Sequence, residues 1–331
     1  MTGNAKPDYA KAIAVDFDTI PIIDLTDIQA PQGFATIADE MMAAAQQSGF
    51  FYITNHGIDQ VVIENAFAAS RAFFRLPQAD KATIRVNQQQ RGWMAQGMTN
   101  LEGAKTHDAK EVFFWGWDVA ANDPDVVAGL PMVAPNQWPN DVAPDLKSDL
   151  LEYYSQVVAL SQLVLSALAV GLGQKADFFE TAYDKPLARG QLVYYPTSTQ
   201  QDEKEQRFGA ATHSDFGVLT MLLQDMQGGL QVQNLAGDWI EAPPIKGSIV
   251  CNIGDLLERW TNNRLVSTKH RVLNKSGSDR YSIPIFCDPA SQTIIDPRDF
   301  GISDADALFE PIAAGAYIAS KNTRNFSQYK K

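Results

Sequence analysis

Apolar residues recur at helical spacing along the first half of the chain and in short, strand-like runs along the second. Phe34 to Gln47 carries apolar positions every three to four residues and runs up to Gly49, suited to the left-handed position that closes a helix. Asp59 stands where an N-cap belongs. Val62, Phe67, Ala68, Phe74 and Leu76 mark the helix face that follows, which Pro77 ends. Between the two helices, Phe50 to Thr54 reads as a strand entering a turn at Asn55-His56-Gly57. Ile20-Pro-Ile-Ile-Asp24-Leu25 reads as a strand whose early proline places it at a sheet edge or sheet start. Lys81 to Trp138, including a Gly/Asn/Thr-rich segment to Gly103, predicts irregular structure with a few short strands. Asp145 to Leu172 predicts one long helix with a broad apolar face, and Ala176 to Tyr183 a further short one.

From Gly190 onward the period falls to two. Gln191–Tyr195, Val218–Leu223, Leu230–Gln233, Trp239–Ile240, Ser248–Ile253, His270–Leu273 and Arg280–Phe286 are β-rich runs separated by Gly, Asn, Asp and Pro. Many short strands with such turns predict a sandwich or barrel, and a jelly roll closes its edges well enough to hold a site inside. Asp255-Leu-Leu-Glu258 inserts one helix, with Asp255 as its cap and Glu258 completing a capping box.

Composition narrows the function. At 331 residues the chain predicts two domains or one with large extensions, and 45% apolar against 20% charged residues describes a globular protein. A net charge of −12 argues against nucleic acid or an anionic membrane as the main partner, which leaves a small molecule. The two cysteines, Cys251 and Cys287, form neither a metal-binding spacing nor a disulfide framework, so a cytoplasmic setting is expected. Met1 to Ala10 lacks the pattern of an export signal. Val157 to Leu172 is interrupted by Ser161, Gln162 and Ser166 and falls short of the ~20 residues that span a bilayer, so it reads as a buried helix.

The candidate chemistry lies between Ala211 and Pro289. Strand periodicity puts His213 and Asp215 on one side, and likewise Arg280 and Ser282. With His270, two imidazoles and one carboxylate suit a non-haem Fe(II) with open positions for substrate and oxygen. Arg280 offers a fork of donors for a carboxylate and Ser282 a hydroxyl; the plain alternative is an ion pair with Asp279. Of the other two histidines, His56 reads as a turn residue and His107 as solvated. Phe113 to Trp117 reads as core.

Several motifs in order give the sequence a recognisable character: Ile20-Pro-Ile-Ile-Asp24-Leu, Gly49-Phe-Phe-Tyr with Asn55-His-Gly, Lys110-Glu111, His213-Ser-Asp215, Gly228-Gly-Leu-Gln-Val, Asn252-Ile-Gly-Asp255, Ser267-Thr-Lys-His270-Arg-Val and Arg280-Tyr-Ser282. On these it resembles the isopenicillin N synthase-like branch of the Fe(II)/2-oxoglutarate-dependent oxygenases. The resemblance covers most of the chain. It implies a mainly β fold with α: a double-stranded β-helix (jelly roll) core, a helical N-terminal region and a long central helix. Residues 1–140 would form the N-terminal α/β region, and residues 141–331 the long helix and oxygenase core.

The resemblance also implies His213, Asp215 and His270 as ligands of Fe(II), with Arg280, Ser282 and Tyr195 holding 2-oxoglutarate as co-substrate. Plant relatives often carry Asn where this chain has Val193. The implied reaction uses O2, decarboxylates 2-oxoglutarate to succinate and CO2, and oxidises, most simply hydroxylates, a C–H bond of a small molecule. Arg91 and Trp93 fall in the variable segment where relatives contact substrate, and Phe216 and Phe286 fall close to the metal. If Arg91 faces the site, an anionic substrate is favoured. Two rivals stand beside this reading: an oxidase of the same fold that does not use 2-oxoglutarate, and a catalytically silent metal-containing jelly-roll binding module.

Overall fold

The computed structural model describes Ala12, residues 20–99 and residues 105–325. The reading of Met1 to Ala10 and the end of the Gly/Asn/Thr-rich segment at Gly103 lie outside these residues. Two sheets face each other. The larger has eight strands in the order β1 (Ile22–Asp24), β2 (Phe50–Thr54), β10 (Ser248–Ile253), β7 (Leu219–Gln224), β12 (Arg280–Cys287), β5 (Arg189–Tyr195), β4 (Glu111–Gly116) and β3 (Gly92–Met94). The smaller has four: β6 (Ala210–His213), β11 (His270–Val272), β8 (Leu230–Gln233) and β9 (Trp239–Glu241). This is the expected jelly roll, and β1 lies at the edge that its proline predicts. The larger sheet draws on both halves of the chain, since strands β1 to β4 precede residue 117.

The strands of the larger sheet read as continuous apolar runs because both faces are covered. Phe51, Ile53, Phe113, Trp115, Leu192, Cys251, Ile283 and Ile285 point to the helical side. There α1 (Pro31–Gln47) and α2 (Gln60–Arg75) pack on the long helix; short α3 (Gln78–Ala82) and α4 (Pro124–Val127) punctuate the irregular segment before that helix, α5 (Leu146–Gly171). The alternate residues, Phe50, Tyr52, Val112, Phe114, Val193, Tyr195 and Val250, meet Leu230, Val232 and Val272 of the smaller sheet. The site residues described below share this inward parity.

Local signals behave as their chemistry dictates. Gly49 ends α1 at φ +66°, and a Cβ there would meet the Val266 carbonyl. Asp59 caps α2 by accepting from the Val61 amide. The helix α5 is long and apolar enough to cross a membrane by length and composition, but Tyr153, Val157, Val164 and Leu168 are fully buried among α1, α2 and the sheet. Two expectations are corrected. The segment Ala176–Tyr183 forms only turns and a 3-10 helix over Glu180–Tyr183. Gly254, rather than Asp255, occupies the cap of α7 (Asp255–Trp260), which has no side-chain cap bond. The Asp255 carboxylate is engaged elsewhere, and Glu258 accepts from the Ser267 amide instead of closing a capping box.

Candidate metal and co-substrate site

His213 ends β6 and His270 begins β11, directly opposite each other across the smaller sheet. Asp215 lies two residues beyond the end of β6, in the loop that crosses to the larger sheet. Its Oδ1 is 3.6 Å from His270 Nε2 and 3.9 Å from His213 Nε2. One donor atom from each residue falls within 4.8 Å of the others. A shared ion with metal–ligand bonds of about 2.1 Å would draw these atoms closer together around it.

Each imidazole is oriented by the backbone two residues before it. His213 Nδ1 lies 2.7 Å from the Ala211 carbonyl and His270 Nδ1 3.2 Å from the Thr268 carbonyl. A carbonyl only accepts, so each Nδ1 carries the proton and each Nε2 turns a lone pair toward Asp215. Burial, then the neighbouring His270, pushes the His213 pKa down to about 3, so it is neutral at neutral pH. Burial works against the Asp215 carboxylate, but the two histidines and two hydrogen bonds outweigh it and hold its pKa below the usual range. Those bonds come from Thr220 Oγ1 at 2.5 Å and Asn252 Nδ2 at 2.8 Å, both to Oδ2. Thus Oδ1 is left for the centre. Two imidazole nitrogens and one carboxylate oxygen converging on one point form a donor set that suits a cation.

Arg280 and Ser282 lie on the same face of β12, with Tyr195 of β5 opposite Arg280. Arg280 is fully buried; Nε donates to the Gly228 carbonyl and Nη2 to Gln224 Oε1, and Nη1 has no partner among the described residues. The alternative pairing fails, because Asp279 accepts from the Tyr194 hydroxyl instead. The Tyr195 ring lies against the guanidinium, 4.7 Å from its carbon. A buried guanidinium held by neutral acceptors, with one nitrogen unsatisfied, fits an incoming carboxylate. Val193 stands opposite Ser282 and presents only methyls there.

Next to the triad is a cavity of about 70 Å³. Phe216 and Phe286 line it, together with Lys110, Arg189, Gln90 and Asn322. Arg91 and Trp93 do not. Arg91 gives its guanidinium to the carbonyls of Gln89, Gln90 and Met132 and lines a separate cavity of about 290 Å³. The buried Trp93 indole donates to Glu111. Within a strand-turn segment, sequence position does not fix which way a side chain leaves the sheet, and both turn from the metal side. Sequence reasoning missed Arg189, Gln90 and Asn322 and gave Lys110 no role. The available signal was parity, because Lys110, Val112 and Phe114 share a face, as do Arg189, Gln191, Val193 and Tyr195. Burial opposes the Lys110 charge, but Asp108, at 3.0 Å, and Tyr195 hold its pKa above the usual lysine value.

The family model described as the N-terminal region of non-haem dioxygenase in morphine synthesis matches residues 20–141, and that of the 2OG-Fe(II) oxygenase superfamily matches residues 190–289. The 2-oxoglutarate-Fe(II) type oxidoreductase hxnY of Emericella nidulans is 34% identical over 80% of this chain and 78% of its own. The chain belongs to the 2OG-Fe(II) oxygenase superfamily. The oxygenase is also 34% identical to the 2-oxoglutarate-dependent dioxygenase citB of Monascus ruber, over 81% of this chain and 84% of that one. A full-length Neurospora crassa protein, solved in complex with alpha-KG and thymine, superposes with a TM-score of 0.81 at 30% identity, covering 94% of this chain and 98% of that one. The cofactors of the oxygenase are Fe(II) and 2-oxoglutarate, with O2 as oxidant.

Within this oxygenase, Asp255 joins the metal loops to the C-terminal helix α8 (Ala314–Asn325), which follows the short helix α6 (Gln200–Glu205) and α7 in the chain. Its amide donates to the Asp215 carbonyl, and its carboxylate accepts from Ser267 Oγ and Lys321 Nζ. The Lys321 ammonium sits 5.5 Å from the Phe216 ring centre. Gly217 permits a close approach, since a Cβ there would lie 1.8 Å from Asp288 Oδ1.

Proposed function

We propose that this dioxygenase hydroxylates a C–H bond of a small molecule, with His213, Asp215 and His270 holding Fe(II) and Arg280, Ser282 and Tyr195 holding the distal carboxylate of 2-oxoglutarate. When bound, the iron and co-substrate supply the oxidising chemistry, with 2-oxoglutarate leaving as succinate and CO2. The chain's own residues orient and exclude. Thr220 and Asn252 fix the Asp215 carboxylate, the backbone carbonyls of Ala211 and Thr268 orient the imidazoles, and the inter-sheet apolar cluster packs beside the centre, with Phe50 edge-on to His270.

The observation that carries this reading is the pairing of three converging metal-ligand atoms with a buried guanidinium whose Nη1 has no partner among the described residues. Support for a small substrate comes from the Neurospora crassa protein, whose solved complexes contain thymine and 5-formyluracil. Two buried, unpaired cysteines support a cytoplasmic setting.

Anaerobic protein loaded with Fe(II) and then exposed to air, with and without 2-oxoglutarate, tests the reading by oxygen uptake and succinate release. Succinate from the intact protein and none from Asp215→Ala is the expected result. Oxygen uptake that ignores 2-oxoglutarate would instead mark an oxidase, and neither signal across a broad substrate panel would mark a binding module.

A further inference from the structure

The inward face of the larger sheet carries a row of side chains that starts at the metal site and runs on to residues that neither the metal nor the co-substrate uses. Register places Arg189 opposite Phe286, Phe286 opposite Thr220, and Thr220 opposite Asn252. Thr220 and Asn252 hold Asp215, so Phe286 lies one strand and Arg189 two strands from the pair supporting the metal ligand. At about 4.8 Å per strand, that places Arg189 roughly 10 Å to one side. Arg280 is six residues from Phe286 along β12, roughly 20 Å of extended strand, so Arg280 and Arg189 leave the sheet towards opposite ends of that strand.

Arg189 is buried at the wall of the cavity, only 7% exposed. Its Nη2 donates to Asp288 at 2.8 Å and its Nη1 to Gln90 Oε1 at 2.9 Å, and its Nε has no partner among the described residues. Asp288 is itself fixed by the Val218 amide. The guanidinium is therefore held as a rigid plane, with the Phe286 ring centre 5.5 Å from its carbon. Flat walls and buried donors select for a flat ligand with acceptor oxygens.

We propose that Arg189, with Gln90 and Phe286, is the recognition site for the prime substrate, and that this substrate is a single planar ring bearing a carboxylate or a ring carbonyl. The assignment rests on the reading of the triad as an oxygenase centre. The ring lies along Phe286, its oxygen is held by Arg189 and the Gln90 amide, and its far edge is presented to the metal.

The test is anaerobic calorimetric titration of the Fe(II)- and 2-oxoglutarate-loaded protein with four probes: benzoate, uracil, cyclohexanecarboxylate and toluene. Benzoate or uracil should bind, the two arms distinguishing a carboxylate from a ring carbonyl, whereas the puckered acid and the oxygen-free ring should bind at least tenfold more weakly. Arg189→Gln would strand the buried Asp288 carboxylate, so Arg189→Lys, which keeps the charge and loses the fork, is the primary variant. It should weaken the better probe about tenfold or more, and Phe286→Leu should weaken it about three- to tenfold. Binding that survives both substitutions, or toluene binding as tightly as the planar acceptors, overturns the substrate assignment. If wild-type protein takes up Fe(II) and 2-oxoglutarate but neither planar probe, that assignment alone falls. If it takes up neither Fe(II) nor 2-oxoglutarate, the oxygenase reading falls with it.

Discussion

Asn252→Ala separates a metal centre that is held in shape from one that merely contains the right residues. The Asn252 amide donates to Asp215 Oδ2 at 2.8 Å, beside Thr220 at 2.5 Å, and these two bonds leave Oδ1 facing the imidazoles. The substitution removes one of two donors to a buried carboxylate. A hydrogen bond to a charged group is worth roughly 1.5–3 kcal/mol, so the metal-free protein should lose about that much stability in chemical denaturation. Residues that orient metal ligands typically change affinity about 10–100-fold, so the dissociation constant for Fe(II), or for Co(II) as a redox-stable stand-in, should rise by that factor. Anaerobic competition against a chromophoric chelator reads it directly. Thr220→Val should have a similar effect, and the double variant should be non-additive because both donors share one oxygen. A folded Asn252→Ala protein with an affinity within about twofold of wild type would refute the argument that Oδ2 sets the orientation of Asp215.

Arg280→Gln should weaken 2-oxoglutarate binding about 10–100-fold, since it removes charge-assisted bonds worth roughly 1.5–3 kcal/mol each; calorimetry with the co-substrate checks this, and unchanged affinity would dismiss the anchor. Arg91→Ala should cost roughly 2 kcal/mol or more of folding stability, because three backbone carbonyls lose their donor, and should leave substrate affinity in place; denaturation and titration together separate the two. In metal-free protein, folded His213 titrates near 3 against about 6.5 when unfolded, so the unfolded state binds more protons between those values. The depressed Asp215 pKa acts with the same sign. Stability in chelator should therefore fall as pH drops from about 6.5 towards 3, and a denaturation midpoint that stays level across that window would contradict the assignment.

Much of the fold was legible because its signals are local. The edge proline of β1, the Asp59 cap, the Gly49 stop and the uninterrupted face of α5 each express a backbone or burial rule that operates within a few residues. The convergence of the triad was legible as well, although β6 ends at His213 and it is the crossing loop that brings Asp215 round. What sequence could not reveal was contact between distant strands. Thr220 and Asn252 look like ordinary strand residues until register sets them side by side under Asp215. Arg91 and Arg189 are equally good cations on paper; Arg91 turns into backbone carbonyls and Arg189 into the cavity. Asn322 reaches that cavity from the C-terminal helix, which no local pattern connects to β6. Asp255 reads as a cap by position, yet its carboxylate ties Ser267 to Lys321.

The central claim is that one ferrous ion is shared by His213, Asp215 and His270. Direct metal analysis after anaerobic reconstitution and gel filtration tests it most simply. The account predicts one equivalent of iron on the wild-type chain and a loss of nearly all of it in folded Asp215→Ala and His270→Ala proteins. Retention of a full equivalent by either variant would contradict it.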